Sequence, residues 1–285
     1  MKLSVIVPIY NEENYLAEQL EALSNQASDN EWECILVNNR STDNSMAIAE
    51  EMASAFDNVK LVDALRKQGR HYALNKGARL ASGNAFLFTD AHTVVAEDWL
   101  GRMASALSQN HFVAGGLDYE KLNTGAPSRT APFTGSNRKF MGYLPYVIGA
   151  NMGVRKEAFD AVGGFREDAN FCEDVDISFR LQLAGYPIHD QPDAVVHMRY
   201  RDSVGGLLRQ TYNYAFAHTF LYSVFREHGM KRRKYGNVMK DYRRIVHGFL
   251  TWFKRSEKER QLCLRSAAAH WGRIVGSLHH RVLYL

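Results

Sequence analysis

Asn84–His92 reads N-A-F-L-F-T-D-A-H. Its apolar run, Ala85-Phe86-Leu87-Phe88, is too short for a helix of its own and predicts a buried strand. The run ends in Thr89-Asp90-Ala91-His92, which puts a carboxylate and an imidazole two residues apart at the strand's carboxyl end. Open α/β sheets hold their ligands at such ends. A carboxylate oxygen and an imidazole nitrogen together suit a divalent cation such as Mn²⁺. On these residues alone, a solvated turn closing a strand has the same sequence.

Outward from this stretch the chain alternates. Leu3–Ile9 is a β-branched first strand closed by Pro8, and Asn11 is expected to cap a helix that runs to about Leu23 through Leu16 and Leu20. Glu33–Asn38 is a second strand. The polar turn after it, residues 39–45, opens a helix over Met46–Ala55, with Ser41 or Thr42 as its expected cap. Val59–Val62 and a helix over Tyr72–Leu80 lead back to the opening strand. Four strand–helix alternations in about ninety residues predict a doubly wound, parallel α/β sheet. Neither G-x-x-x-x-G-K-[ST] nor G-x-G-x-x-G follows the first strand, so P-loop and dinucleotide readings lose support. The first turn offers Pro8, Tyr10, Asn11 and Glu12, and the second Asn38, Asn39, Ser41 and Asp43. These polar groups could hold a base and ribose.

Downstream, a helix from Asp98-Trp99 to Leu107 precedes a strand at Phe112–Gly116. The irregular stretch 118–145 is long enough inside a compact domain to suggest a functional loop. A helix is expected over Val154–Phe159, stopped by Gly163-Gly164, then an amphipathic helix from Phe171 to Gly185 and a short strand Val195–His197.

At 285 residues, 46% hydrophobic and 23% charged, the chain has the composition of an ordinary globular protein. It contains no apolar run of 18 residues, so no spanning helix is expected. The start, M-K-L-S-V-I-V-P, is not expected to be a secretory signal. Cys34, Cys172 and Cys263 are widely spaced and odd in number, which fits a reducing, cytoplasmic setting without disulfides or zinc. The net charge of +4 hides an asymmetry: residues 226–285 carry 15 Lys/Arg against 4 Asp/Glu, a balance of +11, and the first 225 carry −7. A basic tail on an acidic body suggests an anionic neighbour.

Six ordered stretches then carry a resemblance: V-I-V-P-I-Y-N-E-E (5–13), I-L-V-N-N-R-S-T-D-N-S (35–45), A-L-N-K-G (73–77), A-S-G-N-A-F-L-F-T-D-A-H (81–92), G-A-N-M-G-V-R-K-E-A-F-D-A-V-G-G-F (149–165) and C-E-D-V-D-I-S-F-R-L-Q-L-A-G-Y (172–186). Together they resemble the family 2 nucleotide-sugar glycosyltransferases of GT-A fold. The resemblance implies a Rossmann-like, mainly parallel catalytic domain over residues 1–203, with a nucleotide-sugar half (1–116) and an acceptor half (117–203). A helical region (204–285) follows. It implies donor contacts from Pro8, Tyr10, Glu12, Asn38, Asn39, Ser41, Asn75 and Asp90. The family's usual D-x-D is D-A-H here, as in the related polypeptide N-acetylgalactosaminyltransferases. By that likeness Asp90, His92 and His197 would hold Mn²⁺ or Mg²⁺ against the donor diphosphate. A strand histidine satisfied by backbone is the alternative for His197. Family members often carry an aspartate pair where this chain has Asn38-Asn39, which leaves the donor open between UDP and GDP types. The resemblance puts the base of an inverting transfer in Glu173-Asp174, with Asp174 preferred. The same acids at a helix start would also complement its dipole. Asp176 and Arg180 are expected to support the site or the fold.

From Val204 onward apolar residues recur at helical steps, interrupted by Lys231-Arg232-Arg233-Lys234 and followed by basic amphipathic stretches at Arg243–Phe253 and Leu264–Leu278. Two readings stand: helices lying on an anionic membrane, and a packed helical cap with a solvated basic face. Nucleic acid is not an expected partner, since no recognised module accompanies the charge. The implied function is metal-assisted, inverting sugar transfer from a nucleotide-diphosphate sugar to a glycan, polysaccharide or lipid-linked hydroxyl. A peripheral position on the inner face of the cell membrane would suit it. A catalytically degenerate nucleotide-binding scaffold is the alternative, and a nucleotidyltransferase would need a glycine-rich basic loop that residues 8–13 do not provide.

Overall fold

The computed structural model describes residues 1–124, 135–200 and 204–285. Its elements in chain order are β1 (Leu3–Ile9), α1 (Leu16–Ser24), β2 (Trp32–Asn38), α2 (Ser45–Ala55), β3 (Val59–Asp63), α3 (Arg70–Leu80), β4 (Ala85–Thr89), β5 (Val94–Val95), α4 (Trp99–Gln109), β6 (Phe112–Asp118), β7 (Gly135–Phe140), β8 (Leu144–Tyr146), β9 (Asn151–Arg155), α5 (Lys156–Ala161), α6 (Glu173–Leu183), β10 (Ile188–His197), α7 (Val204–Phe225), α8 (Tyr235–Leu250) and α9 (Glu257–His279). Two compact units result. The expected domain boundary at residue 203 lies outside the described residues, as does the part of the 118–145 stretch from 125 to 134.

The first unit, Met1–Asp168 with Glu173–Tyr200, is built on an eight-stranded sheet of order β3-β2-β1-β4-β9-β6-β10-β5. β3, β2, β1 and β4 run parallel, and so do β6 and β10. β9 is antiparallel to both β4 and β6. The strands are apolar on both faces because helices cover both. Leu3, Val5, Val7, Ile9 and Leu87 face one core with α1, α2 and α4, while Ile6, Ile35, Phe86 and Phe88 face another with α3, α5 and α6. Pairing of β1 with β4 ends at Ile6↔Phe88, short of Pro8, whose missing N–H could not continue a ladder. The sheet therefore opens between β1 and β4 at their carboxyl ends, where the strand order changes direction.

Two expectations fail locally. Asn11 does not cap α1. It sits in the left-handed region at φ 54°, and α1 begins five residues later at Leu16. Val154 and Arg155 belong to β9 and not to a helix, because they pair with Phe86 and Ala85 of β4.

The second unit holds Ala169–Cys172 and the described residues from 204 on. Here α7 and α9 pack closely. Gly272 and Gly276 permit this, since a Cβ at either position would come within 2.4 Å of Tyr212 O or 2.3 Å of Thr219 Oγ1. α9 starts with a capping box of Ser256 and Glu259. Among the described residues no helix is long and apolar enough to cross a membrane.

Glu33 of β2 ties the four parallel strands together. Its buried carboxylate accepts hydrogen bonds from Ser4 of β1 (2.7 Å), Lys60 of β3 (2.7 Å), and the N–H and hydroxyl of Ser82 before β4 (2.6 and 2.8 Å). Burial pushes this carboxyl up, but those donors outweigh it and take it down to about 2. A carboxyl lowered on folding stabilises above its unfolded pKa and loses that contribution as pH falls towards its folded value. Glu33→Gln is therefore expected to cost about 2–3 kcal/mol near neutral pH and less near pH 3, as measured by urea unfolding at the two pH values.

Candidate functional site

The site grows from the turns after β1, β2 and β4. The first two are stitched together. Asn11 N–H donates to Ser41 Oγ (3.2 Å), Thr42 N–H to Asn11 Oδ1 (2.8 Å), Glu12 N–H to Ser45 Oγ (2.7 Å) and Asn44 N–H to Glu13 Oε2 (3.0 Å). Asn11 thus holds a neighbouring turn in place of a helix end. In front of α2 the N-cap position is Asn44, whose side chain makes no cap bond, and Asp43 before it accepts from Ser45 N–H at 3.0 Å and Glu13 N–H at 3.1 Å. Ser41 and Thr42 do not fill it.

The asparagine pair divides its work. Asn39 is buried, and both its amide hydrogens are taken by Ala64 O (2.6 Å) and Lys67 O (2.9 Å), while its Oδ1 accepts from Gly69 N–H (2.7 Å). It shapes the loop leading into α3 and leaves no amide hydrogen for a base. Asn38 accepts from Ser41 N–H (3.0 Å) and donates to Asp63 Oδ1 (2.8 Å), so an exposed carboxylate at the end of β3 stands beside it. Tyr10 lies open on the same edge, 48% exposed, with Pro8 and Glu12 half-buried. Asn75, expected among the donor contacts, is buried and bonded both ways to the Phe165 backbone, donating to O at 2.7 Å and accepting from N–H at 3.0 Å. Its amide holds the Gly163–Phe165 turn. Arg180 fixes the same turn through Val162 O and Gly164 O and is itself paired with the fully buried Asp176.

Arg70, the first residue of α3, is the centre. Its Nε and Nη2 donate to Asp90 Oδ1 at 2.9 and 2.7 Å, and its Nη1 donates to Glu173 Oε1 at 3.2 Å. The β4 turn and the start of α6 thereby share one cation. Gly149 lies against it: a Cβ there would come within 2.7 Å of Nη1. Burial alone would lower the guanidinium's pKa, yet Asp90, Glu173 and Asp174 outweigh that and keep it charged. Asp174 accepts from Gly149 N–H (3.2 Å) and Val175 N–H (2.8 Å). Burial first, then the Glu173 charge, push its carboxyl up to about 6, against the pull of Arg70 and those two N–H groups. A carboxylate poised there can take a proton near neutral pH.

Each histidine of the expected metal set is held by a carboxylate. His92 Nδ1 lies 3.0 Å from Glu12 Oε1, and His197 Nδ1 lies 2.6 Å from Asp118 Oδ2. An ionised carboxylate only accepts, so each Nδ1 carries a proton; in the neutral ring Nε2 then has the lone pair, the arrangement of a metal-binding histidine. At His197, Lys121 Nζ stands 3.3 Å from Nε2. The donor chemistry fits a divalent cation. Among the described residues, however, no three His, Cys, Asp or Glu side chains stand together as a set able to hold one.

The structure thus brings Asp90, Glu173 and Asp174 around Arg70, and Glu12 to His92. Arg70 and Asp63 escaped the sequence reading. The signal for Arg70 was a cation in a helix's first turn, the wrong sign for the helix dipole.

Comparison with known proteins gives the family. Residues 4–163 match the family described as glycosyl transferase family 2, and residues 85–280 match glycosyl transferase family group 2. Glycosyltransferase AglE of Haloferax volcanii is 28% identical over 198 residues, 68% of this chain and 65% of that protein, so the chain spans just under two thirds of its length. A dolichyl N-acetyl-α-D-glucosaminyl phosphate 3-β-D-2,3-diacetamido-2,3-dideoxy-β-D-glucuronosyltransferase of Methanococcus voltae is 26% identical over 239 residues, 75% of this chain and 72% of that one. The mannosyltransferase PcManGT of Pyrobaculum calidifontis, solved with GDP-Man and Mn²⁺, superposes with a TM-score of 0.63 over 96% of this chain and 86% of its own. At 16% identity it shows the shared fold alone.

Removing Arg70 leaves three carboxylates without their common cation. Arg70→Ala is expected to lower stability by about 2–4 kcal/mol in urea unfolding, with Asp90→Asn in the same chain restoring part of the loss.

Proposed function

We propose that this chain, which belongs to glycosyl transferase family 2, moves a sugar from a nucleotide-diphosphate donor to an acceptor hydroxyl with inversion at the anomeric carbon. The observation that carries the reading is the Arg70 hub, with Asp90 on one side and the Glu173-Asp174 pair on the other. The acceptor oxygen attacks the anomeric carbon as Asp174 takes its proton, and the bond to the nucleotide diphosphate breaks with its electron pair on the diphosphate. Raised to about 6, Asp174 is ionised at neutral pH yet more basic than an ordinary aspartate. Arg70 and Gly149 position that carboxylate, while Pro8, Tyr10, Glu12, Asn38 and Ser41 form the wall for base and ribose. Asp63 joins them through Asn38. Either a UDP- or a GDP-type donor suits this wall, as amide and carboxylate groups can pair with both bases.

A divalent ion, Mn²⁺ or Mg²⁺, would supply Lewis-acid neutralisation of the departing diphosphate; Asp90, His92 and His197 are its proposed ligands, and since they do not stand together as a set in this structure they would have to draw together to hold it. His197 can serve only after Lys121 leaves its Nε2, because an ammonium and a divalent cation cannot share one lone pair. The mannosyltransferase with GDP-Man and Mn²⁺ supports this choice of ion.

The acceptor proposed is lipid-linked or a membrane-assembled glycan, in keeping with the dolichyl phosphate named for the Methanococcus relative. The enzyme would work as a peripheral protein on the inner membrane face. Tyr242, Val246, Phe249, Leu250 and Phe253 form an exposed stripe along α8 and the turn after it, with Leu250 81% and Phe253 93% exposed. Arg243, Arg244, Lys254 and Arg255 flank that stripe in sequence, a pattern suited to an anionic bilayer surface.

A screen of nucleotide sugars with and without Mn²⁺ should show one donor turned over in the presence of a membrane-lipid extract. Asp174→Asn is expected to lower turnover by about 10²–10⁴-fold with donor affinity retained. In the native chain kcat should fall about tenfold per pH unit below about pH 6, where Asp174 is protonated. Full turnover by the Asn variant removes Asp174 as the base. Leu250→Glu with Phe253→Glu should reduce cosedimentation with anionic vesicles by about tenfold or more while leaving Tm unchanged.

A further inference from the structure

The run Lys231-Arg232-Arg233-Lys234 has a structural consequence that sugar transfer does not use. At its start Gly229 adopts a left-handed φ of 97°, and buried Met230 donates its N–H to Phe225 O at 3.1 Å. The chain is thereby folded back against the end of α7. A wide-open surface cavity of about 590 Å³ forms there, lined by the exposed Arg226, Lys231, Arg232, Lys234 and Tyr235 and by Tyr222. Arg233, also on its wall, is fixed by Asp241 at 2.6 Å, and its Nη1 is buried without a hydrogen-bond partner. Among the described residues Arg226, Lys231, Arg232 and Lys234 form no ion pair. The first turn of α8, which opens at this wall, has no acidic residue and no side-chain cap.

Five cations line this one cavity, four of them without an ion pair among the described residues, and an anion seated there would meet all of them at once. Guanidinium forks and ammonium point charges are the groups that bind phosphate oxygens.

We infer that this cavity in the C-terminal unit is a binding site for a phosphate monoester, carried either by a soluble phosphorylated compound or by a lipid headgroup. The site shares no residue with the Arg70 centre and stands whether or not the proposed transfer is correct.

The test uses the full chain in chelator, so that no metal-dependent binding at Asp90 contributes. Inorganic phosphate is titrated calorimetrically. In parallel, cosedimentation is measured with phosphatidylcholine vesicles holding about one fifth phosphatidic acid, and with others holding phosphatidylserine instead. The variant Arg226→Ala/Lys231→Ala/Lys234→Ala changes only the cavity wall. Lys258→Ala/Arg265→Ala removes two exposed cations of α9, outside the cavity wall and the α8 stripe, as a control.

Saturable phosphate binding that the triple variant weakens about tenfold or more, with the control unaffected, supports the site with a soluble ligand. Preference for phosphatidic acid vesicles over phosphatidylserine vesicles, lost in the triple variant and kept in the control, supports it with a lipid headgroup. No binding in either format overturns the proposal, as does equal loss in both variants, since that is charge attraction without a site.

Discussion

One guanidinium governs the geometry of the first unit. Asp90 and the Glu173-Asp174 pair arrive from different parts of the chain, and three carboxylates in one cleft repel unless a cation lies among them. Arg70 gives hydrogen bonds to two of them and only a field to the third. That asymmetry separates their chemistry: Asp174, held by backbone N–H groups alone, keeps the raised pKa suited to a base. It also explains Gly149, since any side chain there would displace the guanidinium.

The turns around this cation are pre-organised by side chains that never reach the cleft. Asn11, Asp43 and Ser45 lace the β1 and β2 turns together, Asn39 fixes the approach to α3, and Asn75 with Arg180 fixes the turn ending at Phe165. Buried amides with both faces bonded are costly to disturb, so the loops carry little conformational freedom for a ligand to remove. The paired imidazoles follow the same logic, with Glu12 and Asp118 setting the tautomers in advance.

This division explains what could be read from sequence. β1, β2, β4 and the helices between them were legible because strands buried on both faces are continuous apolar runs, and their order left only a parallel sheet. Asp90 and the Glu173-Asp174 pair were legible as polar residues closing apolar elements. The long-range amide bonds were not, since nothing local says that Asn11 bonds Thr42 or that Asn75 bonds Phe165. Asn39 and Asn75 read as ligand contacts, and in the structure their amides bond the loop before α3 and the backbone of Phe165. Val154 and Arg155 looked helical because helix α5 follows at once, and only their partners on β4 make them a strand. Arg70 was hidden because its role depends on residues twenty and more than a hundred positions away.

The Glu33 cross-link also bears on the order in which the chain assembles. Its donors come from residues 4, 60 and 82, so the bonds cannot all form until each helical crossover between the parallel strands has closed. Such non-local closure is slow, and a carboxylate buried before its partners arrive is unfavourable. The first four strands therefore have no stable partial assembly in which Glu33 is covered, which makes their docking cooperative. Bonds completed at the end of folding slow unfolding more than they speed folding, so this single side chain contributes chiefly to the lifetime of the native state.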